Sequence, residues 1–143
     1  MSYKIIFLDI DGTLTNAEKK VTPATKKALF EAQEKGYLAA IASGRPDRGV
    51  EGIAREIGLD KFGGFTLSYN GGRVRNFKTG ELLVQKSLGS DAFGIVAEFA
   101  RRNGADVMTY EGDTIKITID QWCYAFNRTN LRFFVANVYV SDP

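Results

Sequence analysis

Residues 5–15 read Ile5-Ile6-Phe7-Leu8-Asp9-Ile10-Asp11-Gly12-Thr13-Leu14-Thr15, and this stretch decides the fold. Its first four residues are all apolar, without the alternation of a half-exposed strand, so they predict a buried β-strand. Asp9 follows at the carboxyl end of that strand, the edge of an open α/β sheet where ligands bind. Because side chains alternate along an extended chain, Asp9 and Asp11 can face the same way. Gly12 then allows a tight turn.

The two aspartates indicate a metal site. Carboxylates this close repel each other unless a cation lies between them or one is protonated. Oxygen ligands favour magnesium, so we expect Mg²⁺ here. The alternative is an ordinary turn, which an isolated Asp-x-Asp usually forms. The complete string, with Gly-Thr-Leu-Thr after four apolar residues, is much more specific.

Composition and charge restrict the class of protein. The chain has 143 residues, 44% of them hydrophobic and 25% charged, as in soluble globular proteins. A net charge of +2 without a basic run gives no indication of nucleic acid or membrane binding. Cys123 is the single cysteine and histidine is absent, which excludes an intrachain disulfide, His-based zinc sites and Ser-His triads. With no signal peptide or membrane-length apolar run, we expect a cytoplasmic protein.

The first half of the chain has the alternating order of strands and helices that is typical of a parallel α/β sheet. Thr22 predicts a helix N-cap followed by Pro23, and the helix should end near Lys35. Strands are expected over 37–42 and 65–69, with a helix between them that Gly58 terminates. Alternating strands and helices predict a parallel sheet with right-handed crossovers.

The rhythm changes after Gly72. Hairpins are predicted for 73–77 with 81–86 and for 107–110 with 114–119, and a helix is predicted over 91–103 between them. This pattern is typical of an α+β unit. Residues 131–140 are largely apolar and fit either a strand or a helix. We therefore place a domain boundary at 70–72, which gives domains 1–71 and 72–143.

The apolar strand followed by Asp-x-Asp-Gly-Thr resembles the first motif of the haloacid dehalogenase-like superfamily of phosphotransferases. Ser43, after Ile41-Ala42, stands where that family has its second-motif Ser or Thr. Gly44-Arg45-Pro46 and Asn70-Gly71-Gly72 resemble the Cof-type branch, largely phosphatases of sugar phosphates and related small molecules. The resemblance implies a Rossmann-like core in 1–71 and an inserted, incomplete α+β cap domain in 72–143.

The same resemblance implies roles for the aspartates. Asp9 would be the nucleophile that becomes an aspartyl-phosphate. Asp11 would protonate the leaving alkoxide and then deprotonate the attacking water. Mg²⁺ would be held by the Asp9 carboxylate and the backbone carbonyl of Asp11.

The phosphate-binding residues also follow from the resemblance. The Ser43 hydroxyl and the Gly44 N–H would bind a phosphoryl oxygen. Gly12 and Thr13 would support the loop or the phosphate. Arg45 would either meet the substrate or pair with a structural carboxylate. Asn70 would either border the substrate or cap a turn, and the substrate would be a small phosphorylated metabolite.

The later family motifs are not found in these residues. The third-motif lysine and the Gly-Asp-x-x-x-Asp cluster have no counterpart, because Glu111-Gly112-Asp113 lies in a predicted cap hairpin. The resemblance thus covers about the first half of a family member, and we expect a poor catalyst alone. The first strand would lie at a sheet edge, which predicts self-association or pairing with a missing C-terminal half.

Two further functions remain open from the sequence. The first is a non-catalytic phosphate-binding or interaction fragment. The second, weaker one is a receiver-like domain, whose phosphorylated aspartate follows the third strand, where this chain has Tyr69-Asn70.

Overall fold

The computed structural model describes residues 4–88, 90–111, 114–118 and 133–139. The chain forms two compact units, Met1–Gln85 and Lys86–Pro143. The elements of the first unit are β1 (Ile5–Leu8), α1 (Pro23–Glu34), β2 (Leu38–Ala42), α2 (Asp47–Glu56), α3 (Leu59–Phe62), β3 (Gly64–Ser68), a 3-10 turn (Tyr69–Gly71), β4 (Arg73–Asn76) and β5 (Leu82–Gln85). Those of the second are α4 (Ser90–Arg102), β6 (Asp106–Glu111), β7 (Thr114–Thr118) and β8 (Phe133–Tyr139).

The first unit is built on a five-stranded sheet in the order β1-β2-β3-β4-β5. Strands β1, β2 and β3 are parallel, as predicted. The predicted hairpin of β4 and β5 also forms, but β4 pairs with β3 in the same sheet, Ser68 opposite Arg73. The predicted boundary at 70–72 therefore differs from the structure, which divides after Gln85 because the sheet continues across the turn.

Helices α1 and α2 pack on one face of this sheet. Ala39 and Ile41 of β2 share a buried cluster with Leu29 of α1 and with Val50 and Ala54 of α2. The helix ends follow the predicted signals: the Thr22 side chain accepts a hydrogen bond from the Thr25 N–H, and Pro23 occupies the first turn. Gly36 and Gly58 follow the two helices with left-handed φ angles of 86° and 83°.

The prediction that β1 is buried is wrong for this chain. Strand β1 pairs with β2 and, among the described residues, with no strand on its other side. Leu8 packs against the buried cluster, whereas Ile5 and Phe7 alternate to the opposite face and are 39% and 62% exposed. A continuous apolar run is buried only when both faces and both edges are covered. The predicted exposed edge strand is confirmed, and self-association stays a prediction.

The second unit has a three-stranded sheet in the order β7-β6-β8. The predicted hairpin of β6 and β7 is confirmed, and the open question over 131–140 resolves as strand β8, which runs parallel to β6. Helix α4 also matches its prediction and buries Ala100. Cys123 and the pair Gly112-Asp113 lie outside the described residues. No helix within the described ranges is long and apolar enough to cross a membrane.

Candidate active site

The loop after β1 is fixed by backbone hydrogen bonds. The Leu14 N–H donates to the Asp9 carbonyl at 3.0 Å, and the N–H and hydroxyl of Thr15 donate to the Ile10 carbonyl at 2.9 and 2.8 Å. Ile10 and Leu14 are buried in the cluster under the helices. Asp9 and Asp11 therefore emerge on the exposed side, as the alternation predicted. Gly12 makes the turn with φ 83°, and Thr13 is exposed on it.

The carboxyl ends of β1, β2 and β3 enclose a pocket of about 320 Å³. Of the predicted site residues, four line this pocket: Asp9, Ser43, Gly44 and Asn70. Ala42, Leu67 and Gly71 complete its lining. Gly12, Thr13, Asp11 and Arg45 are not among the lining residues. The structure therefore brings the predicted nucleophile and the predicted phosphate-binding loop together in one cavity.

The loop after β2 is bound to the end of β3. The Ser43 N–H donates to the Leu67 carbonyl at 2.9 Å, and the Asn70 N–H donates to the Ser43 carbonyl at 3.1 Å. The Ser43 hydroxyl oxygen accepts a hydrogen bond from the Arg45 N–H at 3.2 Å. Since the hydroxyl is engaged only as an acceptor in that bond, its own proton can be donated to a ligand.

Asn70 lies against Gly44 at the pocket. A Cβ atom on Gly44 would lie 3.0 Å from the Asn70 side-chain oxygen, so glycine permits this close approach. Tyr69 and Asn70 have left-handed φ angles of 52° and 55°, which are uncommon for residues other than glycine. Asn70 borders the pocket and also lies in the 3-10 turn Tyr69–Gly71, so its two predicted roles stay open and contact with a substrate stays a prediction.

Arg45 pairs with a carboxylate, and that carboxylate belongs to Asp11. One guanidinium nitrogen donates to both Asp11 oxygens, at 2.8 and 2.9 Å. The Lys19 ammonium donates to one of them at 2.7 Å. The hydrogen bond from Lys19, then that from Arg45, lowers the pKa of Asp11 below its usual 3.8. The two cations thus hold the side chain of the predicted acid–base residue.

Lys19 contacts a predicted site residue, Asp11, and the sequence analysis did not single it out. It lies in a turn closed by hydrogen bonds between the Asn16 N–H and the Lys20 carbonyl and between the Lys20 N–H and the Asn16 side chain. Its φ of 61° is left-handed. No sequence signal identifies a lysine in such a turn as a partner of Asp11, because the contact depends on this backbone conformation.

The oxygen atoms near the pocket are the type of ligand that Mg²⁺ binds, but they are too few to complete its coordination shell. The Asp9 carboxylate at the pocket and the backbone oxygens of the loop are the hard ligands that Mg²⁺ takes. In the part of the chain that the structure describes, no three Asp, Glu, His or Cys side chains converge on one point. Most of an octahedral shell would therefore come from water, substrate or other ligands.

A model of the haloacid dehalogenase-like hydrolase family matches residues 6–141. The chain belongs to this family. YxeH of Bacillus subtilis, provisionally named a phosphatase, is 38% identical over 89 residues, which cover 62% of this chain and 33% of that protein. The receiver-like alternative is wrong, because the family match spans nearly all of the chain.

Solved structures agree with this assignment. A haloacid dehalogenase-like hydrolase from Bacteroides thetaiotaomicron is 39% identical with a TM-score of 0.69, covering 80% of this chain and 43% of its own. A sugar phosphatase of superfamily subclass IIB is 26% identical with a TM-score of 0.63 over 80% of this chain and 43% of its own. The chain thus spans between 33% and 43% of the length of these proteins.

Proposed function

We propose that this chain supplies the nucleophile and the phosphate-binding loops of a magnesium-dependent, Cof-type phosphatase that acts on a small phosphorylated metabolite, such as a sugar phosphate. The observation that carries the proposal is the shared pocket of Asp9, Ser43, Gly44 and Asn70. A nucleophile placed beside phosphate-binding groups at the carboxyl edge of a parallel sheet has the arrangement that phosphoryl transfer requires.

In the proposed reaction, an Asp9 carboxylate oxygen attacks phosphorus while the bond from phosphorus to the leaving alkoxide breaks. Asp11, whose pKa the two cations lower in the resting site, must first take a proton from solvent; it then gives that proton to the alkoxide and later takes one from the water that hydrolyses the aspartyl-phosphate. The Ser43 hydroxyl and the Gly44 N–H bind phosphoryl oxygens at the side of the pocket away from Asp9. Bound by the Asp9 carboxylate and the Asp11 carbonyl, Mg²⁺ would screen the phosphate charge from the nucleophile.

The pocket of about 320 Å³ can hold a small molecule, since small-molecule sites span about 300–1,000 Å³. The similarity to a sugar phosphatase supports a substrate of that class. We assign residues 86–143 to the cap domain. A cytoplasmic location completes the proposal, in keeping with a single cysteine.

Turnover assays test this function. We would measure hydrolysis of p-nitrophenyl phosphate and a panel of sugar phosphates by the 143-residue chain and by a fusion that adds the remaining sequence of the Bacteroides relative. Asp9→Asn should abolish turnover, because an amide is a poor nucleophile. Asp11→Asn should slow it about a hundredfold or more, the usual worth of general acid–base catalysis. Asp60→Asn, an exposed aspartate on α3, is the matched control and should retain the full rate.

Trapping the intermediate gives a second readout. Acid-quenched samples analysed by mass spectrometry should show a phosphoryl group on Asp9, and none on the Asp9→Asn variant. Near-normal turnover by Asp9→Asn would contradict the nucleophile assignment.

The second candidate function is a non-catalytic phosphate-binding module. The observation in its favour is that the described residues bring no three acidic, His or Cys side chains together, while both cations next to the site engage the Asp11 carboxylate. Binding of inorganic phosphate without turnover in both the chain and the fusion would favour this function.

A further inference from the structure

We propose that Lys19 and Arg45 form an anion-binding site, occupied in the resting protein by the Asp11 carboxylate and vacated when a phosphoryl group takes its place. The identity of the incoming anion rests on the proposed function. The site itself rests on the contacts of three side chains, of which Lys19 has no role in the mechanism above.

The contacts resemble those of a bound anion. Asp11 receives two hydrogen bonds from one Arg45 nitrogen and one from Lys19, all between 2.7 and 2.9 Å. The side chains are 43% exposed for Asp11, 37% for Arg45 and 65% for Lys19. Solvent therefore reaches all three charges, and an anion can replace the carboxylate without any part of the core opening.

Arg45 adjoins the pocket in the chain, and Lys19 is connected to the pocket only through its hydrogen bond to Asp11. Arg45 directly follows Gly44 of the pocket lining, and its N–H is bonded to the Ser43 hydroxyl. Asp11 is two residues after Asp9, another lining residue. A phosphoryl group that reaches Asp9 and Ser43 would thus arrive beside the guanidinium.

The backbone of Lys19 lies in a closed turn. A left-handed conformation is unfavourable for a residue other than glycine, and Lys19 adopts it at φ 61°. The hydrogen bonds of Asn16 close the turn around it. Such strain persists where the surrounding structure demands it, and it often accompanies function. The Lys19 ammonium lies 2.7 Å from an Asp11 carboxylate oxygen.

Charge decides the direction of the exchange. The Asp11 carboxylate carries one negative charge and is held by exposed pairs, which individually contribute little. A phosphate monoester carries nearly two charges and three acceptor oxygens, and it can engage both cations at once. Phosphate should therefore displace the carboxylate, which frees the Asp11 side chain as the substrate arrives.

Binding of inorganic phosphate to the 143-residue chain tests the proposal without any need for turnover. The chain would be titrated with phosphate in the absence of magnesium and followed by ¹⁵N–¹H NMR, which also checks that each variant is folded. Asp11→Asn should tighten phosphate binding about fivefold, because the competing carboxylate is gone. Asp60→Asn removes the same charge elsewhere and should leave the affinity within about twofold of that of the unmodified chain.

A double variant tests whether Lys19 binds the phosphate. Adding Lys19→Ala to Asp11→Asn should reverse the gain in affinity, whereas adding Lys20→Ala, a change of the neighbouring lysine in the same turn, should not. If Asp11→Asn does not fold, Lys19→Ala and Lys20→Ala in the otherwise unmodified chain give the same test. Lys19→Ala alone should then weaken phosphate binding, and Lys20→Ala should not.

Two results would overturn the proposal: equal affinity for Asp11→Asn and Asp60→Asn, or equal effects of Lys19→Ala and Lys20→Ala. Neither result depends on catalysis, so the Asp9 turnover assay could still succeed. Conversely, a protein without turnover could still show the predicted phosphate binding, which separates the failure of this proposal from the failure of the proposed function.

Discussion

Replacing Gly64 by alanine should break the sheet that carries the site. Gly64 pairs with Ala39 between β3 and β2, with φ 144°. An added Cβ would lie 2.3 Å from the Ala39 carbonyl oxygen and 2.8 Å from a methyl carbon of Leu59. Because the carbonyl belongs to the backbone, relief requires the two strands to separate.

The expected cost is large relative to the stability of the unit. Backbone strain of about 1–3 kcal/mol adds to about 1–3 kcal/mol for overpacking, so we expect a loss of about 2–6 kcal/mol. A unit spanning Met1–Gln85 is expected to have an unfolding free energy of about 4–13 kcal/mol. Gly64→Ala should therefore remove a large share of the stability of this unit.

Gly36→Ala is the matched control for the cost of backbone strain at a positive φ. Gly36 also has a positive φ, 86°, but no atom lies within 4 Å of its added Cβ, so about 1–2 kcal/mol of strain is the whole expected cost. Urea unfolding followed by circular dichroism, with amide exchange of β2 and β3, measures both losses. Equal destabilisation by the two variants would refute the argument from the Ala39 carbonyl.

Three further predictions concern association, helix capping and pH. Phe7→Glu should reduce the increase of the sedimentation coefficient with protein concentration, because Phe7 is 62% exposed on an edge strand. The same exposure means that the change should cost little stability. If the increase is unchanged, β1 is not part of the association surface. Thr22→Ala should lower the free energy of unfolding, measured in urea, by about 1 kcal/mol. Thr25→Ala should lower it less, because Thr25 donates to the cap through its backbone N–H, which alanine keeps. The opposite ranking would contradict the assigned cap. The hydrogen bond from Arg55 lowers the pKa of Glu51 below the usual 4.5. The unmodified chain should therefore be more stable than Glu51→Gln above pH 4.5, and this difference in unfolding free energy should vanish as the pH falls through the lowered pKa. A difference that persists in stronger acid would argue against this pair.

Local signals predicted the helix cap at Thr22 and the turn at Gly12, because both depend on a few adjacent residues. The meeting of Asp9 and Ser43 also followed from the sequence, because the carboxyl ends of parallel strands share one edge.

The remaining features depend on contacts between distant residues. A hairpin signal over 73–86 cannot tell whether β4 pairs with β3, so the division after Gln85 was not predictable. The exposure of Phe7 depends on which elements flank β1, and a run of apolar residues carries no such information. The contact of Lys19 with Asp11 requires a left-handed residue that no local propensity favours.

The order of strands in the first sheet is also the order of synthesis. Each strand from β2 to β5 pairs with the strand immediately before it in the chain. A nascent chain leaves the ribosome N-terminus first, so every new strand would meet a partner that has already emerged. Strand β1 is then the first strand of the sheet to leave the ribosome, and β2 pairs with only one of its two edges. Its side chains Ile5 and Phe7 are therefore the exposed apolar surface of this sheet that leaves the ribosome first.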